Sequence, residues 1–577
     1  MTRFSDSDHP DIDALVADYQ GRGGQPGLAY GIVRGGELVH AAGFGEAVLG
    51  GPVPDADTVF RIASMTKSFT ASAVLLLRDE GRLRLDDPAS AYVPALLDWA
   101  AATPGGARIT IRQLLTMTSG LPTDDPWGDR QQGLPLDEFA KFLADGVAFA
   151  WPPGTRFEYS NLGYAILGLI VTAVSGAPYK DFVRDRLMNP LGMTRSGYEP
   201  EAGDPNLALG YRRASSGWVE VPFDPYGAFA PMGGVYTCVR DLARWVAGFG
   251  AAFSAGDGDG HHPLAAASRR EMQLPAVPAG WDRPASFPPA GAVTSYGFGL
   301  SATDEPAIGR IIGHGGGYPG FGSYMRWHLA TGTGVVALAN STYARMSVLT
   351  GQVLRAILRT DQGDGGASAA YPLAPVAVPW PQTLAARDAV TKLLTSWDDA
   401  EADRLFSPNV ALDAPYPERR AAIARVRERI GEFRAADRAA EHDTPAHCRW
   451  WLAGEHGSVQ VEILLTPERP PLVQSVVLAV PPEPGSPLRA MLDTVLAWMN
   501  GTGPAPAAGA GSVDLGLLGR RLRSAAAWAG RCEPGAWTDG DGAGGTTVEL
   551  TGEHATLALT VTIDRSTGHL RSADITA

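Results

Sequence analysis

Residues 27–45, GLAYGIVRGGELVHAAGFG, alternate in polarity around an Arg-Gly-Gly turn and read as a two-stranded hairpin. The remaining strand patterns come much later. From about residue 294, YGFGLSA, GRIIGHGGG, FGSYMRWHL and GTGVVALAN follow one another at turn spacing, ahead of a helical stretch from Tyr343 to Arg359. Between the two groups, residues from about 85 to 250 are mostly helical patterns separated by Pro/Gly loops. Strands at both ends with helices between them imply one sheet closed by the two ends of a single domain. The expected fold is therefore an α/β layer with a helical insertion. A short helical pattern, Asp11 to Tyr19, precedes the hairpin. FRIASMTKSFTASAVLLLRDEGRL begins extended and becomes a helix, with Ala71, Val74, Leu75 and Leu77 apolar and a stop at Gly81.

Residues 361–385 are rich in Gly, Ala and Pro and read as a linker between a domain spanning 1–360 and the remainder of the chain. Beyond it the chain repeats weakly. WLAGEHGSVQVEILLTPE and ELTGEHATLALTVTIDRS align at an offset of 98 residues, placing Val459, Val461, Ile463 and Leu465 on Leu557, Leu559, Val561 and Ile563. Each copy is followed by another strand and preceded by a Trp-containing helix (Trp397, Trp498) and an Arg-rich helix. Two small α+β units are expected, 386–485 and 486–577, with the shared Gly-Glu-His as a turn.

Charge and cysteine content exclude several functions. The 577 residues carry a formal net charge of −14, which disfavours wrapping nucleic acid or coating an anionic membrane. Cys238, Cys448 and Cys532 are too few and too scattered for a disulfide framework or a zinc site, so no metal or other cofactor is expected. The uncharged run from Tyr159 to Tyr179 is interrupted by Asn, Gly, Ser and Pro and reads as a buried helix rather than a membrane span. The first twenty residues contain no apolar secretory core, which makes the cytoplasm the expected location.

Only four of the 48 Lys and Arg residues are lysines: Lys67, Lys141, Lys180 and Lys392. Arginine keeps its proton in a protein, whereas lysine can lose it, so each retained lysine is a candidate for proton chemistry. Lys67 closes Ser64-Met-Thr-Lys67 at a helix start, a spacing that puts hydroxyl and amine on one face. A desolvated amine there can take the serine proton, and the helix N-terminus disfavours a nearby cation while welcoming an oxyanion. Tyr159-Ser160-Asn161 stands before an apolar helix. An extended approach would face its phenol and amide into one cleft, the phenol to relay a proton and the amide to hold Lys67 and a substrate carbonyl. Gly313-His314-Gly315-Gly316-Gly317 ends a strand whose glycines let a substrate backbone lie on the edge. The Gly317 and Ser64 N–H groups there can form an oxyanion hole.

Taken in this order, S-x-x-K, Y-x-N and a basic residue with Gly-Gly on a late strand resemble the serine β-lactamase and penicillin-binding-protein superfamily. The likeness is greatest to its class C-type branch of esterases, D-aminopeptidases and D-Ala-D-Ala carboxypeptidases. IRQLLTMTSGLP (with Met117 where His is frequent), PPGTRFEYSNLGYAILG, PLGMTRS, GGVYTCVRDLARW and YGFGL support it over about residues 10–360. The resemblance implies a β-lactamase-like domain, an antiparallel sheet flanked by helices plus a helical subdomain, followed by the two α+β units. It implies acyl transfer through Ser64, with Lys67, Tyr159, Asn161 and His314 as catalytic residues. His314 replaces the usual Lys, and at an ordinary pKa near 6.5 it would titrate between about pH 5.5 and 7.5. Gly315, Gly316, Tyr318, Phe321, Asp125 and Trp127 are expected to bind substrate, with Asp124 and Asp129 on the same loop. The expected reaction is hydrolysis of an ester or amide, such as that of a small or D-amino-acid-containing peptide. Transfer of the acyl group to an amine or cyclisation of a peptide, as in penicillin-binding-type thioesterases, and a non-catalytic acyl- or peptide-binding module are the alternatives. The C-terminal units are expected to support homo-oligomerisation.

Overall fold

The computed structural model describes residues 9–99, 106, 108–201, 203–214, 217–253, 262–279, 293–305, 308–362, 378–442, 444–483, 485–508, 513–540, 542–552 and 556–576. They form two compact units, one within residues 9–362 and the other within residues 378–576.

The first unit is organised around an eight-stranded antiparallel sheet. Its strands are β1 (Gly27–Arg34), β2 (Glu37–Gly45), β3 (Val277–Pro278), β4 (Val293–Tyr296), β5 (Ser301–Glu305), β6 (Gly309–Tyr318), β7 (Phe321–His328) and β8 (Gly334–Ala339), in the order β2-β1-β8-β7-β6-β5-β4-β3. The early hairpin thus joins the late strands through the β1–β8 pairing, Leu28 opposite Ala339. Within YGFGLSA, residues 297–300 form the corner between β4 and β5, with Tyr296 ending the first strand and Ser301 opening the second.

Side-chain alternation sorts β1 and β8 into two cores. Leu28, Tyr30, Ile32, Val335 and Ala337 face one side of the sheet, where they meet Ile12 and Val16 of α1 (His9–Gly21) and Leu349 and Val353 of the C-terminal helix Met346–Gln362. Ala29, Val33, Val336 and Leu338 face the other, larger core, which holds α2 (Thr66–Asp79) and the helical insertion. α2 is buried from Thr66 to Leu77, which accounts for its nearly all-apolar or small-polar composition. Phe69 of α2 stacks on Trp245 of the helix Val239–Ala251 at 3.9 Å between ring centroids.

The insertion contains the short helix α3 (Asp125–Asp129) and the longer α4 (Asn161–Ser175). Ser160 caps α4 through the Gly163 N–H, and Gly176 ends it in the left-handed conformation. Among the described residues no single helix is long and apolar enough to cross a membrane.

The second unit holds two four-stranded antiparallel meanders, 434–479 and 533–576, each with its own apolar core. The aligned residues Val459 to Leu465 and Leu557 to Ile563 are buried in the third strand of each meander. Both strands also slip register near their ends, at Leu464/Leu465 and Thr562/Ile563. Two details differ from the sequence reading. Trp397 lies just beyond its helix, which ends at Thr395. Both ends of the 361–385 stretch are helical, up to Gln362 and from Pro381. The second Gly-Glu-His lies partly outside the described residues, whereas the first occupies the hairpin turn at 454–456.

Candidate active site

Ser64 lies in a single 3₁₀ turn, Ala63–Met65, that feeds into α2. The turn is pinned on both sides: the Ile62 N–H donates to Val235 O at 2.9 Å, and the Ser323 hydroxyl donates to Ile62 O at 2.8 Å. Ala63 is driven to φ 46°, a left-handed conformation that a β-carbon disfavours. Ser64 keeps 8% of its surface exposed, and Lys67, one turn on, keeps none.

The Lys67 amine has three neighbours: Asn161 Oδ1 at 2.7 Å, Met232 O at 2.9 Å and Ser64 Oγ at 2.9 Å. The first two can only accept. A neutral amine must therefore spend both N–H bonds on them, leaving its lone pair for the Ser64 hydroxyl. Burial lowers the Lys67 pKa to about 8, against the opposing pull of Asp125, Asp129 and Asp124. Tyr159 lies face-on to this amine, 4.9 Å from Nζ to the ring centroid.

The Tyr159–Asn161 segment is held by groups far away in sequence. Asp124, fully buried, accepts the N–H groups of Asn161 at 2.6 Å and Leu162 at 2.8 Å. Burial pushes its pKa up to about 7, while those two N–H groups draw it down. Met117, at φ 58°, accepts the Glu158 N–H through its carbonyl, and its sulfur lies 3.3 Å from the Ser160 nitrogen. Asn161 Nδ2 donates one of its two N–H bonds to Asp125 Oδ1 at 2.9 Å.

The strand side of the site is β6. β5 pairs with it only from Gly309 to Gly313, so the edge from His314 onward has no strand partner on that side among the described residues. A β-carbon on Gly316 would stand 2.1 Å from Ile62 O, which shows how closely this edge passes the turn carrying Ser64. His314 faces the relay, its ring centroid 6.3 Å from that of Tyr159. With its Nδ1 proton on Gly315 O at 2.6 Å, Nε2 accepts from the Tyr296 hydroxyl at 3.1 Å. Burial first, and then the Lys67 charge, lower the His314 pKa to about 4. The expected titration between pH 5.5 and 7.5 is thereby corrected: His314 is uncharged through that range.

Ser64, Lys67, Tyr159, Asn161, Asp125, His314 and the 315–317 edge therefore converge. Three expected substrate contacts do not. Trp127 is buried between Phe142 and Phe229, each 5.5 Å away between centroids. Phe321 is buried and stacks on Phe223. Tyr318 is buried under the Arg61 guanidinium, 3.5 Å from its ring centroid, with its hydroxyl on Asp129 O and Asp224 Oδ2. His262 packs on Trp245 and Phe249. Sequence reasoning assigned no role to Tyr296 or Met232 O, and it placed Asp124 with the substrate-binding loop rather than under the Tyr159–Asn161 segment. Only Tyr296 had a signal, its place in YGFGL.

Comparison with known proteins agrees with this geometry. The family profile described as Beta-lactamase matches residues 12–358. Protein flp of Staphylococcus aureus (strain N315) is 28% identical over 346 residues, covering 59% of this chain and 64% of flp. The D-alanyl-D-alanine-carboxypeptidase/endopeptidase AmpH of Escherichia coli (strain K12) is 31% identical over 228 residues, 39% of this chain and 57% of AmpH. The chain thus spans less than two thirds of the length of these curated relatives. The octameric penicillin-binding protein homologue from Pyrococcus abyssi superposes with a TM-score of 0.51 at 20% identity, over 99% of this chain and 98% of its own.

Proposed function

Because the chain belongs to the beta-lactamase family, we propose that it is a serine hydrolase that cleaves esters or amides through an acyl-enzyme on Ser64. The observation that carries this reading is the Lys67 amine, fixed by two acceptors with its third direction on the Ser64 hydroxyl. As Ser64 Oγ bonds to the substrate carbonyl carbon, its proton passes to Lys67. The carbonyl oxygen becomes an oxyanion held by the N–H groups of Ser64 and Gly317. The bond to the leaving group then breaks, and that group takes the proton by way of Tyr159. In the second step water attacks the ester and gives its proton to the same relay, releasing the acid and restoring Ser64.

Charge around the cleft favours some substrates over others. His314 is neutral, and the Asp125 carboxylate accepts from the Asn161 amide at 2.9 Å. A substrate with a free carboxylate finds no cation at the His314 position, which favours uncharged acyl donors or peptides with a free amine, the D-aminopeptidase type. Self-association through the C-terminal units belongs to the same proposal. Its support is the octameric homologue, which this chain matches along its whole length.

The test is intact-mass analysis after incubation with a fluorophosphonate, together with turnover of p-nitrophenyl esters. A single adduct, lost in Ser64→Ala along with ester turnover, is the expected result. No adduct and no turnover would leave a non-catalytic acyl-binding module. Amide formation in preference to acid when an amine is supplied would make the protein an acyltransferase.

A further inference from the structure

Gly317 and Gly322 face each other across β6 and β7, and the segment Tyr343–Ala344 lies on this pair. A β-carbon on Gly317 would stand 2.7 Å from the Tyr343 ring, and one on Gly322 would stand 2.2 Å from Ala344 O. Neither approach is tolerated by a side chain, so the two glycines are the condition for Tyr343 standing where it does. Its backbone is left-handed, φ 52°, a costly state for an aromatic residue. Its N–H donates to Phe321 O at 3.1 Å, and its phenol donates to Asp129 Oδ2 at 2.8 Å. Asp129 is buried at the end of α3, and its carbonyl also accepts from Tyr318. Two hydrogen bonds thus tie the helical insertion to the sheet end beside Gly317, yet 44% of Tyr343 stays exposed. A ring anchored at both ends and open to solvent is a wall.

The tetrahedral carbon has four substituents, and three directions are taken. Ser64 Oγ is one, the oxyanion between Ser64 and Gly317 is the second, and the leaving group on the Lys67–Tyr159 side is the third. The acyl chain is left to run along β6 past Gly317, toward Tyr343. On the serine-hydrolase reading, we infer that Tyr343 closes the acyl side of the cleft and confines the enzyme to esters and amides of short acyl groups. Bulk is then carried by the leaving group.

The experiment compares p-nitrophenyl acetate, butyrate and octanoate with the full chain. In the wild type kcat/KM should fall at least tenfold from butyrate to octanoate. Tyr343→Ala should raise the octanoate-to-acetate ratio at least fivefold. Where that variant fails to fold, Tyr343→Gly, which accepts the left-handed backbone, gives the same reading. Octanoate handled as well as acetate by the wild type, or an unchanged chain-length profile in the folded variant, overturns the inference. Fluorophosphonate labelling separates the two levels. No adduct on wild-type Ser64 removes the hydrolase reading and this inference together, whereas an adduct with an unchanged profile removes only the acyl wall.

Discussion

Lys67 shows how much chemistry one residue draws from its surroundings. Its amine titrates near pH 8 because burial withholds the water that would stabilise the cation. The active form is the neutral amine, so acylation should slow about tenfold for each pH unit below 8 and level off above it. Rapid-mixing measurements of the p-nitrophenol burst from pH 6 to 9 would test this, and a flat profile would remove Lys67 as the base. Lys67→Arg keeps the charge but cannot surrender a proton, and it should lose about 10²–10⁴-fold in the same assay. His314 behaves in the opposite way. Already neutral above about pH 5, it should leave no limb between pH 5.5 and 7.5, and the profile of His314→Asn should keep the wild-type shape there. A bend near pH 6.5 that vanishes in His314→Asn would show the imidazole to be more solvated than its contacts with Tyr296 and Gly315 imply.

At the level of single elements, the site depends on how α4 starts and how β6 ends. Asp124 supplies both acceptors for the first N–H groups of α4, next to Tyr159 and Asn161. Asp124→Asn turns one acceptor into an NH₂ group facing an N–H, and an unmet buried donor costs about 1–3 kcal/mol. The midpoint of urea unfolding should drop accordingly, and kcat should fall more than KM rises, because the relay is displaced while the cleft survives. On β6 the consecutive glycines 315–317 are not equivalent. A methyl group at Gly316 meets the Ile62 carbonyl at 2.1 Å and Ser323 Oγ at 2.3 Å, whereas one at Gly315 meets only the movable ring of Tyr324 at 2.9 Å. Gly316→Ala should abolish Ser64 labelling and Gly315→Ala should keep most of it. Equal labelling in the two would mean that the Ser64 turn yields easily. The motif residues were legible in sequence because S-x-x-K and Y-S-N are local spacings. The Asp124 clamp, 37 residues from Asn161, is set by how the insertion folds back and leaves no periodic trace. Trp127, Tyr318 and Phe321 were misjudged for a related reason: nearness to a motif says nothing of which way a side chain points, and all three turn into the core.

Among the described residues, the cores of the first unit share no residue with those of the second, so the first unit should unfold as its own cooperative block. Calorimetry of the full chain should show at least two transitions, with covalent labelling of Ser64 moving only one; a single merged transition would contradict this. The large-scale plan was readable because alternation marks strands wherever they lie in the sequence, so the hairpin at 27–45 announced its need for β8. The order of strands in the sheet and the depth of each side chain were not readable, since both arise from pairings across some three hundred residues. Such long-range packing also explains Ala63, Met117 and Tyr343, three non-glycine residues wound the wrong way in remote stretches of chain, the first two buried and the third exposed. Each stores conformational energy that glycine or asparagine would release. Selection for heat resistance alone should accordingly favour glycine at positions 63 and 343, where little packing is lost, and the hardier proteins it returns should be poorer enzymes.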